Sequence, residues 1–172
     1  MSLSLASAQG SLPIAFGTKP QIALEQIRAA AGVPVGVVLG DAGYGNGMEF
    51  RDGVREPGLR YCVGVQPNTT VWTGELAPLL PKPRKSKRGR PATRLRRAAG
   101  HKPVSVQGLA SQLPRRAWRT VGWRDGSNAR LQSRFAALRV RAAHQDWRRS
   151  ELRETKWLVI AWPESESEPV HI

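Results

Sequence analysis

The sequence predicts an α/β fold, a mixed sheet with helices packed against it. Three observations carry this. Residues 35–39 (VGVVL) and 59–65 (LRYCVGV) are short apolar runs separated by a segment with helical spacing, which is the pattern of a βαβ unit. Two apolar segments ahead of it, residues 2–6 and 12–16, flank Ala8-Gln9-Gly10 and read as an antiparallel hairpin. Three more strand-like runs follow late in the chain, at residues 118–123, 135–142 and 157–162.

After the hairpin, a helix is predicted from Thr18, with Pro20 in the first turn, where its missing N–H costs nothing. Ala23, Leu24, Ile27, Ala30 and Ala31 mark its apolar face, and Gly32 ends it. The run 35–39 is expected as a strand buried on both faces. Gly40, Gly43 and Gly45 break it, and Asn46 with Glu49 reads as a capping box opening the next helix, which stacks Phe50 on Val54 and stops at Pro57-Gly58. The strand 59–65 then lies parallel to the first. Val106, Leu109 and Leu113 are helically spaced and end at Pro114. In 135–142, Ala136, Leu138, Val140 and Ala142 alternate with Arg139 and Arg141, giving one apolar and one cationic face. Residues 157–162 (WLVIAW) are apolar throughout and read as a central strand.

Asp41 falls at the carboxyl end of the first βαβ strand, where open α/β sheets place their chemistry. It is a candidate metal ligand, or an Asp that starts the turn. The net charge of +14 is concentrated. Residues 82–97 (KPRKSKRGRPATRLRR) hold nine basic residues and no acid, and the other 18 basic and 13 acidic residues leave +5. Such a block points to nucleic acid, or to a solvated insertion without a partner. With Pro78, Pro81, Pro83 and Pro91 it reads as an exposed, disordered excursion, and Arg88-Gly89-Arg90-Pro91 matches an AT-hook core. The six Trp are expected in the core, with Trp118 and Trp147, beside arginines, open as base-stacking candidates. Cys62 stands alone in an apolar run, is expected buried, and excludes a disulfide within the chain. His101, His144 and His171 lack ligand spacing, and Glu164, Glu166 and Glu168 are expected solvated. Without an apolar run of about 18 residues or a signal-like N-terminus, a soluble, cytoplasmic protein with no membrane partner is expected.

The block GVVLGDAGYGNGMEFRDGVREPGLRYCVGVQPNTTVW resembles bacterial insertion-sequence transposases of the IS701 kind, within the IS4-related DDE group. SLSLASAQGSLPIAF, TKPQIALEQIRAA, PVSVQGLA, AWRTVGWRDG, SRFAALRV and KWLVIAWPESESEPV are similar to the same family in the same order. The resemblance implies an RNase H-like fold with a β-rich basic insertion, and two Asp and one Glu holding Mg2+ or Mn2+ for DNA cleavage and strand transfer. Asp41 matches the second Asp. The first Asp belongs on a strand before the hairpin and the Glu on a helix beyond Glu168-Pro169-Val170, and the link between Phe16 and Thr18 is shorter than the family's.

A transposase fragment cut at both ends is therefore expected. It comprises a partial RNase H-like core at 1–72, the basic excursion at 73–103, and a β-rich insertion with a return strand at 104–172. Its partner would be transposon-end DNA, met by Lys82, Arg84, Lys85, Lys87, Arg88, Arg90, Arg94, Arg96 and Arg97. One carboxylate cannot hold two cations about 3.5–4 Å apart, so Asp41 alone should bind metal weakly and the chain should be catalytically incompetent. The resemblance implies loss of the central strand, which leaves two edges to pair with each other, find a partner chain or aggregate, and with them a marginally stable chain. The alternatives are a basic DNA-binding module in which Asp41 is only structural, and a nuclease working alone.

Overall fold

The computed structural model describes residues 16–30, 34, 36–74, 76–83, 90–125, 130–163 and 170–171. The predicted hairpin at 2–6 and 12–16 lies outside them except for Phe16, as do Ala31 and Gly32 and the tail glutamates. Helix α1 (Lys19–Ala29) begins where the Gln21 side chain accepts from the Thr18 N–H at 2.8 Å, which satisfies one of the orphan donors of the first turn. Strand β1 (Val37–Gly40) is followed by a single-turn helix α2 (Ala42–Gly45), then α3 (Met48–Arg55), and strand β2 (Arg60–Val63) pairs with β1 in parallel. Strand, helix and parallel strand thus stand as expected.

One face of this two-stranded sheet is covered. Leu24 of α1 and Phe50 and Val54 of α3 form its buried cluster, against which Val38, Tyr61 and Val63 pack. The other face is not. Val37 and Leu39 are 48% and 76% exposed, and Arg60 and Cys62 share their exposure. The expectation of a strand buried on both faces, and with it a buried Cys62, is therefore corrected. Alternation along a strand turns every second side chain to the opposite face, and Val37, Leu39, Arg60 and Cys62 are that exposed set.

The second sheet is antiparallel. Its strands β3 (Thr70–Thr73), β4 (Val104–Ser105), β5 (Arg119–Asp125), β6 (Arg130–Ala142), β7 (Lys156–Pro163) and β8 (Val170–His171) run in the order β4-β3-β6-β7-β8, with β5 also on β6. Helix α4 (Val106–Gln112) starts at Ser105, whose hydroxyl accepts from the Gly108 N–H at 3.0 Å. It lays Val106 and Ala110 onto Val71, Val140, Leu158 and Ile160. The predicted alternation of β6 holds, with Ala136 and Val140 inward and Ala137 and Arg139 outward. The strand read as central is central, with β7 paired to β6 on one side and β8 on the other, but its apolar run is buried on one face: Leu158 and Ile160 are buried, while Trp157 is 66% exposed. The parallel and antiparallel pairs occupy separate sheets, so the mixed α/β class is met by two sheets rather than one.

The proline-rich basic stretch, predicted as an exposed and disordered excursion, is anchored where it is described. Leu79 and Arg96 exchange both backbone hydrogen bonds, at 2.8 and 2.9 Å. Leu95 is buried and its N–H donates to the Arg149 carbonyl at 2.8 Å. Apolar Leu95 inside the charged run supplies burial that composition alone conceals.

Candidate functional site

Asp41 follows β1 directly and caps α2. Its Oδ1 accepts from the Gly43 N–H at 2.8 Å, and its carbonyl accepts from the amides of Tyr44 and Gly45 at 3.1 and 3.0 Å. The expected capping box of Asn46 and Glu49 is corrected: Gly47 precedes α3, and Asn46 closes α2. The Asn46 side-chain oxygen instead faces the Gln66 N–H at 3.3 Å and the Thr69 hydroxyl at 3.4 Å. Short polar side chains satisfy backbone groups wherever a turn leaves them free, so spacing alone did not decide which helix Asn46 serves.

What fixes this turn is close backbone contact. A Cβ on Gly45 would lie 1.7 Å from the Gly64 carbonyl oxygen, and the Gly64 N–H donates to the Gly40 carbonyl at 2.9 Å. Two glycines thus press α2 against the chain leaving β2, and Asp41 is held exposed at the strand end. Glu49 and Asp52 are exposed on α3. Among the described residues no three His, Cys, Asp or Glu side chains come together as a metal site. The donor set present around Asp41 does not fit a two-metal centre, which requires several carboxylates.

Of the predicted DNA contacts, Arg84, Lys85, Lys87 and Arg88 lie outside the described residues, and with Arg88 and Gly89 goes half of the AT-hook motif. Lys82, Arg90 and Arg94 are exposed. Arg96 is half-buried, with Nε donating to the Leu80 carbonyl at 3.2 Å. Arg97 is turned inward. Its Nη2 lies 2.8 Å from Asp146 Oδ1 and donates to the Ala143 carbonyl at 2.8 Å, and its guanidinium sits 4.9 Å from the Trp147 ring centroid. Asp146 is 2% exposed and also accepts from Trp72 Nε1 at 2.8 Å. Arg97 therefore serves a buried ion pair, unlike its exposed neighbours.

Trp118 is half-buried against Trp162, edge to face at 5.3 Å, and its ring packs on the core. Trp147 is 46% exposed with Arg97 over it. The sequence did not single out Trp157, whose exposed ring carries the Arg139 guanidinium at 5.2 Å from its centroid. The two face each other across β6 and β7, and only that register brings them together.

Around Tyr61 the electrostatics are unbalanced. Burial pushes the Tyr61 hydroxyl up, opposed by Arg51 and Arg55. Burial, then Arg149 and Arg51, pulls the Arg153 guanidinium down. The exposed Glu154 carboxyl is held low chiefly by its hydrogen bond from Lys156.

Among the described residues no helix is long and apolar enough to cross a membrane. Residues 11–130 match a family model described as DDE superfamily endonuclease. No curated protein and no solved structure matches the chain.

Proposed function

Because this chain belongs to the DDE superfamily endonucleases, a family that acts on DNA and generally uses divalent metals, we propose that it is a transposase of the insertion-sequence kind. Its β1–β2 unit is part of an RNase H-like core. Asp41 is one ligand of a Mg2+ or Mn2+ centre whose other carboxylates are not among those gathered here, and without them the chain does not cut DNA. The carrying observation is the exposed Asp41 carboxylate immediately after a strand of a parallel pair. The uncovered face of Val37 and Leu39, with β1 paired on one side among the described residues, supports self-association. The Asp41–Gly43 hydrogen bond favours a second reading, in which Asp41 only shapes the turn and the protein binds DNA without catalysis.

Nicking of supercoiled plasmid in Mn2+ tests the first part. The chain is expected to nick no faster than Asp41→Asn, a variant that retains a capping oxygen. Strong Mn2+-dependent nicking lost in Asp41→Asn would show a complete centre and overturn the incompetence of this chain. DNA engagement rests on exposed Lys82, Arg90 and Arg94. The logarithm of the affinity for a duplex should fall linearly with log salt. Replacing these three by alanine should reduce the slope by roughly 2–3, at about 0.9 per phosphate contact. An unchanged slope would remove the basic stretch from the interface.

A further inference from the structure

Between α3 and the chain leading into β7 lies a cavity of about 240 Å³. Its walls carry the cations Arg51, Arg55, Arg149, Arg153 and Lys156 against two acids, Asp52 and Glu154. Glu154 is already taken, by Arg55 at 2.8 Å and Lys156 at 3.0 Å. Asp52 is thus left as the remaining acid facing Arg51, Arg149 and Arg153.

The arginines are also short of acceptors. Arg153 Nη1 donates to the carbonyls of Ala142 and His144, yet its Nε is buried with no hydrogen-bond partner among the described residues. Arg51 Nε is in the same condition, and Arg51 Nη2 faces the Met48 sulfur, a weak acceptor. A buried charged donor without an acceptor is costly, and like charges drawn together add to the cost. A bound anion relieves the like-charge cost, and guanidinium forks match tetrahedral oxyanions in geometry. At a share of about 30 Å³ per water, the cavity has room for such an anion with part of its hydration.

We propose that this pocket is a binding site for a phosphate group, either free or as a diester in a nucleic acid backbone. Its lining residues do not belong to the basic stretch at 82–97, and it does not depend on the metal role of Asp41. Arg149 is the side chain to test first, because it is exposed and its hydrogen bonds with Leu95 and Asp146 are made by its backbone. Arg149→Gln keeps those bonds.

The experiment follows thermal unfolding of the full chain in inorganic phosphate, against sodium chloride at equal ionic strength. At tenfold excess over Kd, phosphate should raise Tm by about 3–6 °C. Arg149→Gln should need about tenfold more phosphate for the same shift, the loss expected for one charge-assisted bond. Arg51→Gln provides a second, independent variant. No shift beyond the chloride control, or the same shift in wild type and both variants, overturns the site, since general salting-out would act on all three alike. Duplex titration separates the sources. Competition by phosphate, together with weaker duplex binding in Arg149→Gln, assigns the site to a backbone phosphate, and an unaffected duplex affinity assigns it to the free anion.

Discussion

Asp146→Ala is expected to cost about 3–5 kcal/mol, the range for removing one member of a buried ion pair and leaving the other uncompensated. Two groups lose a partner at once. The Trp72 indole N–H, buried at 1% exposure, loses its acceptor, and Arg97 loses its counter-charge while still lying against Trp72 and Trp147. With total stability of about 5–15 kcal/mol for a domain, that is a large share of the whole. Asp146→Asn keeps an acceptor for Trp72 and should lose less. Arg97→Ala should cost a comparable amount, because it leaves the Asp146 carboxylate, 2% exposed, without the Arg97 charge. Urea unfolding of the three variants checks the order. If Asp146→Ala lies within 1 kcal/mol of wild type, the cluster does not hold the sheet.

Gly45→Ala should be as damaging by a different route. The added carbon meets a backbone oxygen at 1.7 Å and the Gly64 carbonyl carbon at 2.8 Å, so no rotamer change relieves it. Either α2 lifts away from β2 or the Gly64-to-Gly40 hydrogen bond breaks. Overpacking of this kind typically costs about 1–3 kcal/mol, and a clash with backbone belongs at or above the upper end. Gly36→Ala is the control. Nothing lies within 4 Å of a Cβ there, so the change should be close to neutral. Equal melting temperatures for the two variants would mean that the glycine contact does not fix the turn that carries Asp41.

What could be read from the chain follows the range of the interactions involved. The βαβ order, α4 and the alternation of β6 rest on spacing within one segment, and those expectations stand. The four residues of β3 are too short a run to stand out, and β3 exists because it pairs with β6 far along the chain. The inward turn of Arg97 depends on Asp146, 49 residues away, so within KPRKSKRGRPATRLRR it looked like any other cation. Cys62 was misjudged because an apolar run does not say whether both faces of its strand are covered. At the candidate site the position of Asp41 after a strand was legible. The four-residue helix it caps was not, since Ala-Gly-Tyr-Gly has little helical propensity and is held by tertiary contact. The arginine-walled cavity was invisible for the same reason, its members coming from α3 and from the approach to β7.

The bridge between Leu79 and Arg96 has a consequence for how this chain can change over generations. The chain is pinned at Leu79 and Arg96, so a change of length between them need not shift the sheet. Closing a loop of twice the length costs only about 0.6 kcal/mol more. The stem and the sequence it carries are thus separable: pairing of Leu79 with Arg96 fixes where the chain leaves and returns, whatever the length between them.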